Sequence, residues 1–186
     1  MHLSHAQIHY ILDQYLSLYP HEQERLTPLF DFLETTQGDL YDRKNMDGHI
    51  VWSGIIVDEE KKESLMIYHN TFQRYQQPWW HIDPGETPVQ WAQRECIEET
   101  GITKLEYIPA HRIYTDMPID IWCHIVPENE QKKEWEHWHF NFIYVFEAKE
   151  KNTQLNDEGV SDAKWVDLDE VGKLLPSIPY KVKELD

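Results

Sequence analysis

Apolar residues in the first 37 positions recur at helical spacing. A first stripe consists of Ile8, Ile11, Leu12, Tyr15, Leu16 and Tyr19, and a second of Leu26, Leu29, Phe30 and Leu33. This period predicts two amphipathic helices, which Pro20 separates. Ser4 and Gln7 have the spacing of a capping box at the first helix, and Gly38 follows the second. We expect both stripes to pack on the rest of the protein, and a homodimer contact is the alternative.

The pattern changes to that of strands after a polar, turn-rich linker at residues 39–49. Residues 50–57 and 64–69 flank a charged turn and predict a β-hairpin. Further strands are predicted near 79–82, 105–115, 119–126, 138–148 and 163–166, and a helix at 168–175 that Pro176 and Pro179 end. The chain is therefore expected to be of the α/β class with a mixed sheet. An N-terminal helical extension with its linker covers 1–47, and the main domain covers 48–186.

The charge balance limits the classes of partner. The 34 acidic residues outnumber the 17 basic ones among 186 residues, which gives a net charge of −17. Such a surface repels nucleic-acid polymers and anionic membranes, but a metal ion at the site still allows a small phosphorylated substrate to bind. No apolar run approaches a membrane span and no secretory leader is recognised, so we expect a cytoplasmic protein. Cys96 and Cys123 are too few for a disulfide framework.

Three carboxylates lie on a helix predicted over residues 88–100. Thr87 and Gln90 have capping-box spacing, and Gly101 follows the helix at its C′ position. Glu95, Glu98 and Glu99 project from one side of this helix. Clustered carboxylates raise one another's pKa and destabilise the fold, and a hard cation such as Mg²⁺ or Mn²⁺ removes that cost. A solvated helix face is the alternative for glutamates at this spacing.

Residues 80–102 resemble the Nudix box. That box reads Gly, five residues, Glu, seven residues, then Arg-Glu-apolar-x-Glu-Glu-x-Gly-apolar. The matching positions here are Glu86, Arg94, Glu95, Cys96, Glu98, Glu99, Gly101 and Ile102. The resemblance implies a Nudix α/β/α sandwich over about residues 48–175, with the N-terminal helices outside it. The sequence departs from the box at its start, because Trp80 stands where the box has its opening Gly and Trp79 where a Gly often precedes it.

The resemblance also implies roles for these residues. Glu95, Glu98 and Glu99 would be ligands of Mg²⁺ or Mn²⁺, joined by the backbone carbonyl of Trp80, in the hydrolysis of a pyrophosphate bond. Glu95 and Glu99 count as catalytic residues, and Arg94 orients the cluster. The general base often lies in a later loop, where Glu158 is the candidate; a solvent-facing turn residue is the alternative. We assign Glu86 and Trp79 to substrate binding, because Glu86 reaches the same side and Trp79 is suited to stack on a base.

Histidines mark the predicted strand at 138–148. His137 and His139 share one of its faces, and His124 lies on the preceding strand. We assign these three histidines to the substrate pocket. A plain polar strand face is the alternative, and it is favoured over a transition-metal site.

The sequence predicts an enzyme of the Nudix pyrophosphohydrolase class. Its expected substrate is a nucleoside diphosphate linked to another moiety, or a nucleotide triphosphate. The alternative is a catalytically degenerate Nudix domain that binds a nucleotide or another ligand, which Trp79 and Trp80 favour and the complete glutamate set opposes. Isomerase chemistry of the isopentenyl diphosphate isomerase kind ranks last, since Cys96 occupies an apolar position of the box.

Overall fold

The computed structural model describes residues 3–80, 86–114, 116–129, 134–155 and 159–185, except for the side chain of Trp80. Its helices are α1 (His5–Leu18), α2 (Thr27–Thr35), α3 (Pro88–Thr100), α4 (Leu168–Val171) and α5 (Ile178–Lys183), with 3₁₀ turns at Pro20–Glu22 and Glu24–Leu26. Its strands are β1 (Gly48–Val57), β2 (Glu63–His69), β3 (Arg74–Gln76), β4 (Trp79–Trp80), β5 (Leu105–Ile108), β6 (Asp120–Val126), β7 (His137–Ala148) and β8 (Val160–Asp167). Among the described residues, none of the helices combines the length and the apolar composition that a membrane span requires.

The eight strands form one mixed sheet around a parallel pair at its centre. β1 and β7 run parallel along the whole length of β1, from Gly48 beside Trp138 to Val57 beside Glu147. The other pairings are antiparallel: β2 with β1, β3 and β8, β4 with β1, and β5 and β6 with β7. Because side chains alternate along a strand, this register places odd-numbered residues of β1 and β7 on one sheet face and even-numbered ones on the other.

Helices cover both faces of the sheet. Even-numbered residues of β1 and β7 share a core with α1, α2 and α3; the rings of Phe32 and Phe140, for example, have centroids 4.8 Å apart. The odd-numbered Ile55 and Val145 pack with apolar residues of α4 and α5. The predicted α/β/α sandwich with a mixed sheet is therefore confirmed.

The N-terminal segment is tied to the sheet by a buried polar cluster as well as by apolar contacts. Lys181 on α5 donates to Tyr15 Oη at 2.6 Å and to Asp120 Oδ1 on β6 at 2.8 Å. Lys181 also pairs with Glu22 Oε1 at 2.9 Å, and Arg25 binds both Glu22 and Asp120. The segment before β1 thus shares both the apolar core and the charged contacts of the domain that follows it.

Several predicted boundaries differ from the structure. The strand predicted at 105–115 ends at Ile108, the helix predicted at 168–175 ends at Val171, and β8 extends over Val160–Asp167 where only 163–166 was predicted. Pro179 does not end a helix but lies in the first turn of α5, where its missing N–H leaves no hydrogen bond unmade. The short β3 was not predicted, because three residues carry too little periodicity to be recognised.

Candidate active site

Helix α3 begins and ends where its sequence predicts. Thr87 Oγ1 accepts the backbone N–H of Gln90, and Gln90 Oε1 accepts that of Thr87. Gly101 ends the helix with φ +71°, and a Cβ there would lie 2.2 Å from the carbonyl oxygen of Gln154. Only glycine adopts this conformation without strain. The close packing at residue 101 holds the end of the helix against the following chain.

Arg94 stands at the centre of the carboxylates on and before α3. Its Nε donates to both oxygens of Glu86, at 3.2 and 3.0 Å, and one terminal nitrogen donates to Glu95 at 2.5 Å and to Glu98 at 3.1 Å. Glu95 and Glu99 are buried, whereas the side chain of Glu98 is 55% exposed. The structure thus brings the predicted residues Glu86, Arg94, Glu95 and Glu98 into direct contact.

The carboxylates of α3 have the chemistry that a hard divalent cation prefers, but among the described residues Glu95, Glu98 and Glu99 are not gathered into one group of ligand atoms. Burial lowers the pKa of the Arg94 guanidinium, but the hydrogen bonds and charges of Glu86, Glu95 and Glu98 outweigh it and raise that pKa above its ordinary value. One guanidinium therefore binds three carboxylates, and one of them, Glu95, is buried. Buried carboxylates are tolerated where cations compensate for lost hydration, and carboxylate oxygens are ligands that Mg²⁺ and Mn²⁺ prefer.

Trp79 connects this helix to the sheet. Its backbone N–H donates to Glu99 Oε2 at 3.2 Å, and β4 pairs with β1, placing Trp79 beside Ser53 and Trp80 beside Trp52. The Trp79 ring lies half-buried against His139, with ring centroids 5.3 Å apart, and near Phe72 at 5.8 Å. The Trp79 ring thus packs beside the sheet, while its backbone binds Glu99.

A cavity of about 470 Å³ lies over the sheet face that carries the odd-numbered residues of β1 and β7. Its lining includes the aromatic residues Phe72, Trp79 and Trp122 and the polar residues Arg74, Gln76, Gln77, His124, His139 and Asn141. Among described residues, Asn141 Oδ1, Gln77 Oε1 and His124 Nδ1 have no hydrogen-bond partner. Since buried polar atoms are rarely left unsatisfied, these atoms are suited to bind a polar ligand in the cavity.

Burial and the nearby charge of Arg74 lower the pKa of His124 to about 4. His124 is therefore neutral at physiological pH, and its imidazole is suited to hydrogen bonds with an uncharged group. Arg74, which lines the same cavity, carries the positive charge on this wall.

The three histidines assigned to the substrate pocket, His124, His137 and His139, do not form one tight group. His139 is near His124, with ring centroids 5.5 Å apart, but the tight group contains His49 in place of His124. Ligand atoms of His49, His137 and His139 all lie within 4.8 Å of one another. His49 was missed because its polar surroundings indicate a linker; only the parallel register, which sets His49 beside His139, reveals it.

Some residues that line the cavity were not predicted, and some predicted residues lie outside the described part of the chain. Phe72, Arg74, Gln77 and Trp122 line the cavity without belonging to any recognisable motif. Glu158, the candidate general base, lies outside the described residues, as do positions 81–85 of the box. For Trp80 only the backbone is described. Its predicted carbonyl contact to a metal stays a prediction.

Comparison with protein families and curated sequences gives consistent matches. The family model described as NUDIX domain matches residues 48–185. A probable DHNTP pyrophosphohydrolase of Lactococcus lactis is 28% identical over 133 residues, covering 72% of this chain and 74% of that protein. An RNA pyrophosphohydrolase of Bartonella henselae is 31% identical over 140 residues, covering 72% of this chain and 75% of that protein.

Solved structures show the same fold. A NUDIX-family hydrolase from Clostridium perfringens superposes with a TM-score of 0.55 at 18% sequence identity, covering 73% of this chain and 96% of that one. At this identity the match concerns the fold alone.

Proposed function

Because this chain belongs to the NUDIX family, as its sequence predicted, we propose that it hydrolyses a pyrophosphate bond in a small phosphorylated molecule. The names of the two curated relatives support this class of enzyme. The proposed substrate is a nucleotide triphosphate, or a nucleoside diphosphate linked to another moiety. We also propose that the reaction requires Mg²⁺ or Mn²⁺ and takes place in the cytoplasm.

The contact between Trp79 and Glu99 is the observation that carries the proposal. The Trp79 ring lines the cavity, and the N–H of the same residue binds a carboxylate of α3. The cavity and α3 lie on opposite faces of the sheet, so a substrate with its ring system in the cavity would extend past Trp79 to bring its phosphates to the carboxylates. That arrangement separates recognition of the ring from chemistry at the phosphates.

The lining of the cavity favours a flat heteroaromatic group. Phe72, Trp79 and Trp122 offer aromatic surfaces for stacking, and Asn141 and Gln77 offer amides that can read the edge of a base. Candidate substrates are therefore nucleotides and DHNTP, the compound in the name of the L. lactis relative.

The residues of α3 have distinct proposed roles in hydrolysis. Glu95, Glu98 and Glu99 would hold Mg²⁺ or Mn²⁺, which when bound would neutralise phosphoryl charge and activate water. Arg94 holds Glu95 and Glu98 in place through the contacts described above. Glu158 remains the proposed general base.

A degenerate domain that only binds a ligand is the second candidate. It is favoured by Trp80, which stands where the box has its opening Gly, and by Trp79, which stands where a Gly often precedes the box. A third possibility, action on RNA, follows from the name of the B. henselae relative, and the net charge of −17 disfavours it. The proposed partner is therefore a small molecule and not a nucleic-acid polymer.

The test is release of phosphate and pyrophosphate from nucleoside triphosphates, nucleotide sugars, dinucleotides, DHNTP and a 5′-triphosphorylated RNA, with Mg²⁺ or Mn²⁺. Glu98→Gln is the main variant, because an exposed side chain can be changed without disturbing the core; Glu99→Gln accompanies it. Glu106→Gln, an exposed carboxylate on β5, is the matched control. We expect turnover to fall about 100-fold or more in the first two variants and to stay unchanged in the control.

Full turnover in Glu98→Gln would overturn the metal-ligand assignment. Tight binding of a nucleotide without turnover by the wild type, with Mg²⁺ or Mn²⁺ present, would favour the degenerate domain. Preferential cleavage of the RNA would overturn the small-molecule assignment.

A further inference from the structure

Three buried histidines form a group on the sheet, apart from the carboxylates of α3. His49 lies on β1, and His137 and His139 lie on the same face of β7; all three are at most 5% exposed. Their ligand atoms lie within 4.8 Å of one another, and ring centroids are 4.4 Å apart for His49 and His139 and 5.1 Å for His49 and His137. Three imidazoles at this separation are a donor set that transition metals bind.

The hydrogen bond of His137 prepares one of these nitrogens as a ligand. Its Nδ1 lies 2.6 Å from the carbonyl oxygen of Trp135. A carbonyl only accepts, so Nδ1 carries the proton and Nε2 of the neutral ring has a lone pair. Metal-binding histidines commonly donate their second ring nitrogen to a carbonyl in this way.

The separation of the nitrogens matches a metal site. Nε2 of His137 and Nε2 of His139 are 3.2 Å apart. Two nitrogens bound tetrahedrally to Zn²⁺ at about 2.0–2.1 Å would be roughly 3.3–3.4 Å apart. The third nitrogen, on His49, lies within 4.8 Å of both.

A cavity of about 360 Å³ reaches all three histidines. A bound ion would therefore have a path to solvent and a coordination position left for water or a ligand. Neutral imidazole nitrogen selects Zn²⁺ and similar borderline ions, whereas Mg²⁺ prefers oxygen.

We propose that His49, His137 and His139 form a transition-metal site, for Zn²⁺ in the first place, that is separate from the carboxylates of α3. The site does not depend on the proposed hydrolysis. A direct contact between His137 and His139 with no metal is the competing explanation, and the experiment below distinguishes them.

The test measures Zn²⁺ binding to the untagged full chain after chelator treatment, by competition with a chromogenic chelator. We expect one Zn²⁺ per chain, unaffected by excess Mg²⁺. His49→Gln and His137→Gln should weaken binding about 100-fold or more, beyond the 10–100-fold typical of losing an outer-shell partner. His124→Gln, on the same sheet face outside the group, and Glu98→Gln, on α3, should bind like the wild type.

Equal binding by the wild type, His49→Gln and His137→Gln would overturn the proposal, as would loss of the site in Glu98→Gln or no binding by the wild type at micromolar Zn²⁺. X-ray absorption on the Zn²⁺-loaded wild type needs no variant to fold. It should show a nitrogen-dominated shell near 2.0–2.1 Å with imidazole scattering, and a shell of oxygens alone would refute the site. Hydrolysis is not a readout in either measurement, so failure of the proposed activity would not affect the result.

Discussion

Lys181 is a buried cation that joins the N-terminal segment to the sheet. It is fully buried and contacts Tyr15, Glu22 and Asp120, which come from α1, the following 3₁₀ turn and β6. Replacing Lys181 by Met keeps the length of the apolar stem but removes the charge. Asp120, itself fully buried, then shares Arg25 with Glu22.

The expected cost follows from that burial. Removing one partner of a buried ion pair typically costs about 3–5 kcal/mol, because the remaining charge is left poorly compensated. Arg25 is 28% exposed and stays in place, so we expect the lower half of that range, about 3–4 kcal/mol. For a chain of this size, about 2–4 °C per kcal/mol gives a fall in melting temperature of roughly 6–16 °C.

The assay is urea unfolding, followed by tryptophan fluorescence and circular dichroism, to check that both report one transition. Lys183→Met is the matched control, because Lys183 pairs with Asp169 at an exposed position and its loss should cost less than about 1 kcal/mol. The double variant Lys181→Met with Asp120→Asn should recover part of the loss. A Lys181→Met variant within 1 kcal/mol of the wild type would refute the reasoning.

Three further changes test the fold and the cavity. Gly101→Ala puts a side chain at a positive φ and against the carbonyl of Gln154, so it should lower the free energy of unfolding in urea by about 2 kcal/mol or more. Gly38→Ala, with open space around it, should change that free energy little, and equal effects of the two variants would contradict the packing argument. Burial raises the pKa of Asp120, but Lys181 and Arg25 outweigh it and hold that pKa below its ordinary 3.8. Its charge therefore stabilises the fold above pH 3.8, and the stability gap between wild type and Asp120→Asn should narrow as pH falls below that value; a gap that widens on acidification would contradict this sign. Trp79→Ala should raise KM for the best substrate about 5–30-fold through lost stacking with kcat nearly unchanged; a large fall in kcat at constant KM would place Trp79 in the chemistry instead.

Local signals were enough to predict α3 completely. Thr87, Gln90 and Gly101 act through hydrogen bonds and backbone conformations within a few residues of themselves, so their spacing along the chain determines the helix ends. The partners of Arg94 could be expected for the same reason, since Glu98 lies one turn away on the same helix. Short or irregular elements such as β3 and α5 escaped prediction, because their conformation depends on tertiary contacts more than on periodicity.

The sequence by itself determined the carboxylate helix, the sandwich class and the family resemblance. Only the tertiary structure decided which residues lie beside the histidines and which residues line the cavity. His49 and His139 are 90 positions apart in the chain, and only the parallel pairing of β1 with β7 sets them side by side. Lys181 and Tyr15 lie near opposite ends of the sequence, and they meet only in the packed fold. Such contacts arise from sheet register and packing, which no local pattern of residues encodes.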